Sequence, residues 1–101
     1  MAKLSVVLRD NKRRQLVARH KQKRAELKAV INDPGSSYED KQKAVALLSS
    51  MPRDSSPVRL RNRCIVTGRP RGFCRRFGLS RHKLRELSMN GAIPGIHKAS
   101  W

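Results

Sequence analysis

The feature that most constrains this chain is an arginine-rich stretch from Arg59 to Arg85 that contains no acidic residue. Its 27 residues include nine arginines and one lysine, so the stretch has no counter-charge of its own. Three glycines, a proline and two phenylalanines lie between the arginines. Arginine binds phosphate through a planar fork of donors, glycine lets backbone approach a phosphodiester, and an aromatic ring packs on a base. The combination predicts nucleic-acid binding.

The remaining charge is unevenly distributed. Residues 1–31 carry +8, residues 32–58 carry −1, residues 59–85 carry +10 and residues 86–101 carry 0, which gives the net charge of +17. A membrane-surface helix would need a wide apolar face, which these basic segments lack. With 101 residues, of which 38% are hydrophobic and 4% aromatic, the chain has little material for a core. We therefore expect a protein that becomes fully ordered only against a polyanion.

The start of the chain and its cysteines indicate the compartment. The sequence MAKLSVVLRD has no long apolar run of the kind that a signal peptide or a membrane span requires. Cys64 and Cys74 are too few for a disulfide framework. These features predict a protein of a reducing compartment with no membrane partner.

A long basic helix is predicted over residues 3–31. This segment contains no Gly or Pro, is rich in strong helix formers, and ends at Asn32-Asp33-Pro34-Gly35. Residues 53–57 are predicted to form an extended linker, because a residue that precedes proline is disfavoured in helical conformation.

Two further helices are predicted from their end signals. The second starts at a capping box in which Ser36 is the cap and Glu39 reaches back, and it runs to about Ser49. Its apolar stripe, which includes Tyr38 and Val45, is expected to pack in a core rather than in a partner's groove. The third helix starts at Ser80 and ends at Asn90-Gly91.

The predicted fold class is mainly α, extended and partly irregular. A long basic N-terminal helix and a second helix precede an arginine-rich loop module with a short C-terminal helix. The predicted domains are a basic helical extension and linker over 1–58 and the arginine-rich module over 59–101. The residues expected to hold the module together are Ile65, Val66, Phe73, Phe77, Leu79, Leu84, Leu87 and Ile93.

The C-terminal half resembles a known protein family. The motifs RNRC-x-x-TGRPRGF-x-RRFGLSR-x-K-x-RE and IPG-x-x-KASW are similar to bacterial small-subunit ribosomal protein fourteen, and KRAELKA and MPRDSSPVRLRNRC extend the match. The resemblance implies a structural constituent of the small subunit that binds ribosomal RNA in the head, supports assembly and shapes RNA near the aminoacyl-tRNA site. It also implies that small-subunit proteins three and ten are neighbours. The implied location is the cytoplasmic ribosome, with an organellar ribosome as the alternative.

One departure from the family concerns zinc. Many members carry a knuckle of the form C-x₂-C-x₁₂-C-x₂-C in this stretch. The corresponding positions here are Cys64, Thr67, Ser80 and Lys83. Structural zinc requires four thiolate or imidazole ligands, and a site improvised from both cysteines with His82 and His97 matches no familiar spacing. We therefore predict the zinc-independent form of the protein, which needs no cofactor.

The candidate RNA-binding residues are cations of both basic regions and the terminal tryptophan. Phosphate contacts position RNA without reading its sequence, so specificity is expected from RNA shape and a few exposed bases. The candidates are Arg13, Arg14, Arg19, Lys23, Arg24, Arg53, Arg59, Arg61, Arg63, Arg69, Arg71, Arg75, Arg76, Arg81, Lys83, Arg85, Lys98 and Trp101.

Two other functions were weighed against this hypothesis. Gly68-Arg69-Pro70 matches the core of an AT-hook, which would indicate a DNA-binding nucleoid protein, but three residues are a weak motif. Catalysis is not predicted, because the acids are scattered singly or in helix caps, and the spacing shows no Cys–His or Ser–His arrangement.

Overall fold

The computed structural model describes residues 1–100, which divide into two compact units. One unit, here called the module, combines Met1–Val7 with the described residues from Arg61 onward, and the other consists of Leu8–Leu60. The chain is mainly helical and has only two short strands among its described residues, which confirms the predicted mainly α fold class. The predicted functional division between residues 58 and 59 stays a prediction.

Helix α1 spans Leu4–Asn32, close to the predicted bounds. Asp10 is its only buried residue, as expected for a helix that is polar nearly all round. The turn after the helix is held by Asp33, whose carboxylate accepts the Gly35 N–H at 3.0 Å and the Ser36 hydroxyl at 3.1 Å. Both hydrogen bonds lower the pKa of the Asp33 carboxyl, and the bond from the Gly35 N–H has the larger effect. The predicted stop signal is therefore a side-chain turn built on Asp33.

Helix α2 spans Tyr38–Ser50, and its cap is Ser37 rather than the predicted Ser36. The Ser37 hydroxyl accepts the Asp40 N–H at 3.3 Å and donates to the Asp40 carboxylate at 2.8 Å. Ser36 is engaged by Asp33 instead, so the capping interaction starts one residue later and uses Asp40 in place of Glu39.

The predicted packing of the α2 stripe is wrong for two of its residues. Tyr38 is 75% exposed and Val45 is 48% exposed, whereas the small Ala44 is 4% exposed. Within the Leu8–Leu60 unit, the backbones of α1 and α2 do not approach each other closely. Leu48 is half-buried, so the stripe packs through Ala44 and Leu48, while Tyr38 and Val45 lie in solvent.

The segment after α2 is more structured than the predicted extended linker. Arg53–Ser55 and Pro57–Arg59 each form a turn of 3₁₀-helix, and we call residues 51–60 the bridge. The backbone is extended at Met51 and Ser56, the two residues that precede proline, as their steric restriction requires. Of the linker predicted over residues 53–57, the extended conformation was right for Ser56 and wrong for Arg53–Ser55 and Pro57.

The module is built on a short antiparallel hairpin. Strand β1 (Phe73–Cys74) pairs with strand β2 (Leu79–Ser80), and the Arg81 N–H donates to the Gly72 carbonyl at 2.7 Å beyond the pair. Helix α3 (Arg81–Met89) follows β2 directly and ends at Asn90, as predicted. Strand and helix therefore share the Ser80 junction, which fixes the direction in which α3 leaves the hairpin.

The core of the module differs from the predicted apolar set. Cys64 is 3% exposed, Ser80 is 1% exposed and Leu79 is 8% exposed, whereas Ile65 and Val66 are 81% and 53% exposed. The turn that begins at Cys64 is closed by an N–H bond from Gly68 to the Cys64 carbonyl at 2.8 Å. A tight turn that directs Cys64 inward directs the next two side chains outward, so Ile65 and Val66 do not join the core.

The first residues of the chain lie against this turn, a feature that no sequence signal indicated. The Ala2 N–H donates to the Thr67 carbonyl at 3.1 Å. Gly68 has φ +73°, and a methyl group there would lie 3.0 Å from both Ala2 Cβ and Val7 Cγ2. Glycine is therefore required at position 68 for its backbone conformation and for the close approach of the N-terminal residues.

We predict that Gly68→Ala detaches the N-terminal residues, whereas Gly91→Ala does not. Both glycines have a similar positive φ, but a methyl group at Gly91 meets no atom of the described residues within 4 Å. Gly91→Ala is therefore the control, because it carries the backbone strain of roughly 1–2 kcal/mol without a steric clash. Hydrogen exchange of the Ala2 amide should accelerate by roughly tenfold or more in Gly68→Ala alone. Equal acceleration in both variants would contradict the predicted clash.

Candidate nucleic-acid interface

The hairpin turn of the module presents two adjacent arginines to solvent. The N–H groups of Phe77 and Gly78 both donate to the Cys74 carbonyl, at 3.3 and 2.9 Å, and this turn exposes Arg75 and Arg76. The Arg76 guanidinium carbon lies 5.7 Å from the centre of the Phe77 ring, within the range of a cation–π contact. The turn therefore offers two cations, one of them backed by an aromatic ring.

A small cavity extends this basic surface. Arg61 and Arg75 line a space of about 220 Å³ together with Asn62 and Phe73. Gly72, which has φ +62°, forms part of the wall. The fold thus brings two predicted RNA-binding arginines that are 14 positions apart to the wall of one cleft.

Arg63 has a structural role that its sequence context did not indicate. One terminal nitrogen donates to the Gly68 carbonyl at 3.0 Å, and its Nε is buried without a hydrogen-bond partner among the described residues. Arg69 is half-buried beside it, and its carbonyl accepts the Cys64 N–H at 3.0 Å. Both arginines were predicted to bind RNA, and the structure places them in the turn that carries Cys64.

In the Leu8–Leu60 unit, one acid organises two of the predicted arginines. The Asp54 carboxylate lies 3.3 Å from Arg13 Nε and 3.0 Å from Arg59 Nη1. Arg24 Nε donates to the hydroxyl of Ser55, which is fully buried, at 3.0 Å. Arg13 and Arg24 therefore reach from α1 to the bridge and fix its position, in addition to any role toward RNA.

Other candidates are divided between internal pairs and open surface. Arg14 lies 2.9 Å from the buried carboxylate of Asp10, and Lys83 lies 2.7 Å from Glu86. The exposed candidates outside these pairs, the cleft and the hairpin turn are Arg19, Lys23, Arg53, Arg71, Arg81, Arg85 and Lys98. Trp101 lies outside the described residues.

The sequence-based set leaves out two lysines of α1. Lys21 and Lys28 line a cavity of about 370 Å³ with Arg24 between them, and Val17 and Pro57 supply apolar wall. The spacing i, i+3 and i+7 puts the three cations on one face of the helix, and this signal was available in the sequence.

Comparison with models of known protein families matches residues 47–100 to ribosomal protein S14p/S29e. The match covers more than half of the chain. The chain belongs to the S14p/S29e family of ribosomal proteins. It is thus a structural protein of the small ribosomal subunit, associated with ribosomal RNA and other ribosomal proteins, and this family is in general non-enzymatic. No helix of residues 1–100 combines the length and the apolar character that a membrane crossing requires.

The residues at the knuckle positions of this S14p/S29e member do not fit zinc. Within residues 1–100, no three Cys, His, Asp or Glu side chains are grouped so that they could hold a metal ion. The Cys64 sulfur instead accepts hydrogen bonds from Thr67 and from backbone N–H groups of Ser80 and Val66. The Lys83 ammonium, at the fourth position, is paired with Glu86. A buried thiol bonded to polar groups occupies the place where the knuckle would bind its metal.

Burial raises the pKa of the Cys64 thiol, but the hydrogen bonds donated to the sulfur outweigh it and lower the pKa from 9.0 to about 6. The Thr67 side chain and backbone contribute the largest of these hydrogen bonds, and Ser80 and Val66 contribute the others. The folded module therefore favours the thiolate at neutral pH.

We predict that Cys64 stabilises the module in a pH-dependent way. Because its folded pKa lies below the unfolded value, the contribution is fully present above about pH 9 and is lost as the pH falls through about 6. Ultraviolet absorbance of the thiolate, measured in a Cys74→Ser background, should titrate near pH 6.

A matched variant tests the cause of this titration. Thr67→Val removes the hydroxyl donor with little change of shape and should move the midpoint upward by about 1 pH unit. A midpoint near 9 in the parent protein, or no change in Thr67→Val, would show that the hydrogen bonds to the sulfur do not set the titration.

Proposed function

We propose that this chain binds small-subunit ribosomal RNA in the head of the subunit, where it supports assembly and shapes RNA near the aminoacyl-tRNA site. The observation that carries the proposal is the acid-free arginine surface of the module, at Arg61, Arg75 and Arg76, in a chain of the S14p/S29e family. Small-subunit proteins three and ten are the proposed protein neighbours, as the resemblance of the sequence motifs implies.

The proposed mechanism is electrostatic and geometric. Exposed cations bridge phosphates of RNA segments that are distant in sequence, which lowers their mutual repulsion and fixes one tertiary arrangement. Phosphate contacts carry no sequence information, so specificity comes from the shape of the RNA and from a few accessible bases. The internal contacts of Arg13, Arg24 and Arg63 support this mechanism indirectly, because they hold the turns that present the exposed cations.

We also propose that the chain is the zinc-independent, bacterial-type form of its family and acts on the cytoplasmic ribosome. The residues at the four knuckle positions support the zinc-independent form. The motifs KRAELKA and MPRDSSPVRLRNRC, which resemble the bacterial family, support the bacterial type and with it the cytoplasmic ribosome.

The contacts of Gly68-Arg69-Pro70 weaken the alternative of a DNA-binding nucleoid protein. An AT-hook requires an extended segment free to lie in the minor groove. Here the Gly68 N–H donates to the Cys64 carbonyl, and the Arg69 carbonyl accepts the Cys64 N–H. Gly68 is also buried against Ala2 and Val7. The three residues are therefore bound within the module, which favours RNA over an AT-hook mode.

We predict a strong salt dependence of binding to small-subunit ribosomal RNA. If roughly 6–10 phosphates are neutralised, affinity should fall by about three to five orders of magnitude between 50 and 200 mM salt. Arg75→Ala should weaken binding and reduce the slope of log K against log salt by about 1. Lys43→Ala, an exposed cation of α2 outside the proposed interface, is the matched control and should leave the slope unchanged. A flat salt dependence, or equal effects of both variants, would contradict the proposal.

We predict that the purified chain contains no stoichiometric zinc. Mass-spectrometric metal analysis should find less than about one zinc ion per ten chains. A closed structural site would hold roughly tenfold more, about one zinc ion per chain. The triple variant Thr67→Cys/Ser80→Cys/Lys83→Cys supplies four cysteines at the knuckle positions and is the positive control. Stoichiometric zinc in the parent chain would overturn the zinc-independent assignment.

A further inference from the structure

A groove in the module lies between helix α3 and the segment Ile96–Lys98 and encloses about 250 Å³. Three of the residues that line it are apolar, Leu84, Met89 and Ile96, and we call these three the floor. Met89 is 56% exposed, although it is a large hydrophobic residue at the end of a helix. An exposed apolar side chain that borders a concave surface is available to a ligand.

Three cations also line the groove, and we call them the rim. Arg81 and Arg85 are one helical turn apart on α3, and Lys98 belongs to the C-terminal segment. All three are exposed, and no side-chain ion pair engages them among the described residues. No acidic residue lines the groove. An apolar floor within a ring of cations selects a ligand that has a flat apolar part and a negative charge close to it.

We propose that this groove binds a single unpaired nucleotide of the ribosomal RNA, with the base on the apolar floor and its phosphates on the cationic rim. The inference rests on the proposed RNA binding and adds to it one defined base contact. The volume is below the ~300–1,000 Å³ of sites for drug-sized ligands, so it suits one base and excludes a helix or a folded domain.

The occupant must be unpaired, because the bases of an A-form duplex are stacked and their deep groove is closed to side chains. Unstacked bases, in contrast, can lie on apolar and aromatic surfaces. In single-strand-binding proteins each stacked base contributes ~1–3 kcal/mol to the free energy of binding. An acidic peptide would satisfy the rim but has no flat apolar group of fixed distance from its charge. The charge of the rim and the apolar floor together therefore favour RNA.

Two kinds of variant of the full chain separate the floor from the rim. Met89→Gln removes an apolar surface without changing charge or length, and Ile96→Ser is a second floor variant. Both should weaken binding to a short single-stranded RNA by roughly threefold to tenfold, with no change in the salt slope. Arg85→Ala should reduce the salt slope by about 1. Leu47→Gln, which alters an exposed apolar residue of α2, should change neither quantity.

A blunt-ended duplex of equal length, which has no unpaired base, is the matched RNA, and the floor variants should bind it as the parent chain does. Photo-crosslinking of a thiouridine-substituted single strand to the parent chain should label peptides that contain Met89 or Ile96. Unchanged single-strand affinity in both floor variants, with crosslinks confined to residues 59–76, would overturn the groove assignment and leave the proposed function intact. Loss of a protein neighbour from reconstituted subunits with unchanged RNA affinity would assign the groove to a protein and also overturn it. If the parent chain binds neither RNA, the proposed function itself fails.

Discussion

The shortage of acids is the constraint on which the rest of this structure depends. Seven carboxylates accompany 24 lysines and arginines, so each acid has a large effect on which cations are held inside. Asp10 and Asp54 hold Arg13, Arg14 and Arg59. Asp33 and Asp40 organise the turn between α1 and α2, and Glu86 pairs with Lys83. Five of the seven acids thus define local structure, and most of the remaining cations face solvent.

Backbone hydrogen bonds, rather than a large apolar core, hold the module together. Its buried residues include Cys64, Leu79 and Ser80, of which only Leu79 has a large apolar side chain. Two turns closed on the carbonyls of Cys64 and Cys74 carry the arginines, and the Cys64 sulfur accepts further N–H groups. A module built in this way keeps its shape although few of its large hydrophobic residues are fully buried.

The sequence predicted the features that depend on local chemistry. Helix α1 follows from an uninterrupted run of helix formers, and α3 follows from Ser80 and Asn90-Gly91 at its ends. The predicted cap of α2 was wrong by one residue. The Asp33 carboxylate accepts the Ser36 hydroxyl, which leaves Ser37 to cap the helix, and the capping-box motif does not include that carboxylate. The burial of Ile65 and Val66 was wrong because hydrophobicity does not reveal which way a tight turn directs its side chains.

The candidate site was less predictable than the fold, for a physical reason. In the sequence the arginines of residues 59–85 look alike, since the stretch itself contains no acid, yet the fold gives them different tasks. Arg63 donates to a backbone carbonyl inside the turn, Arg59 pairs with Asp54, and Arg75 lies at an exposed tip. A count of basic residues therefore exceeds the number of cations that lie on open surface. The salt dependence of RNA binding depends on that smaller number, because only cations that exchange solvent and counterions for phosphate contribute to the slope.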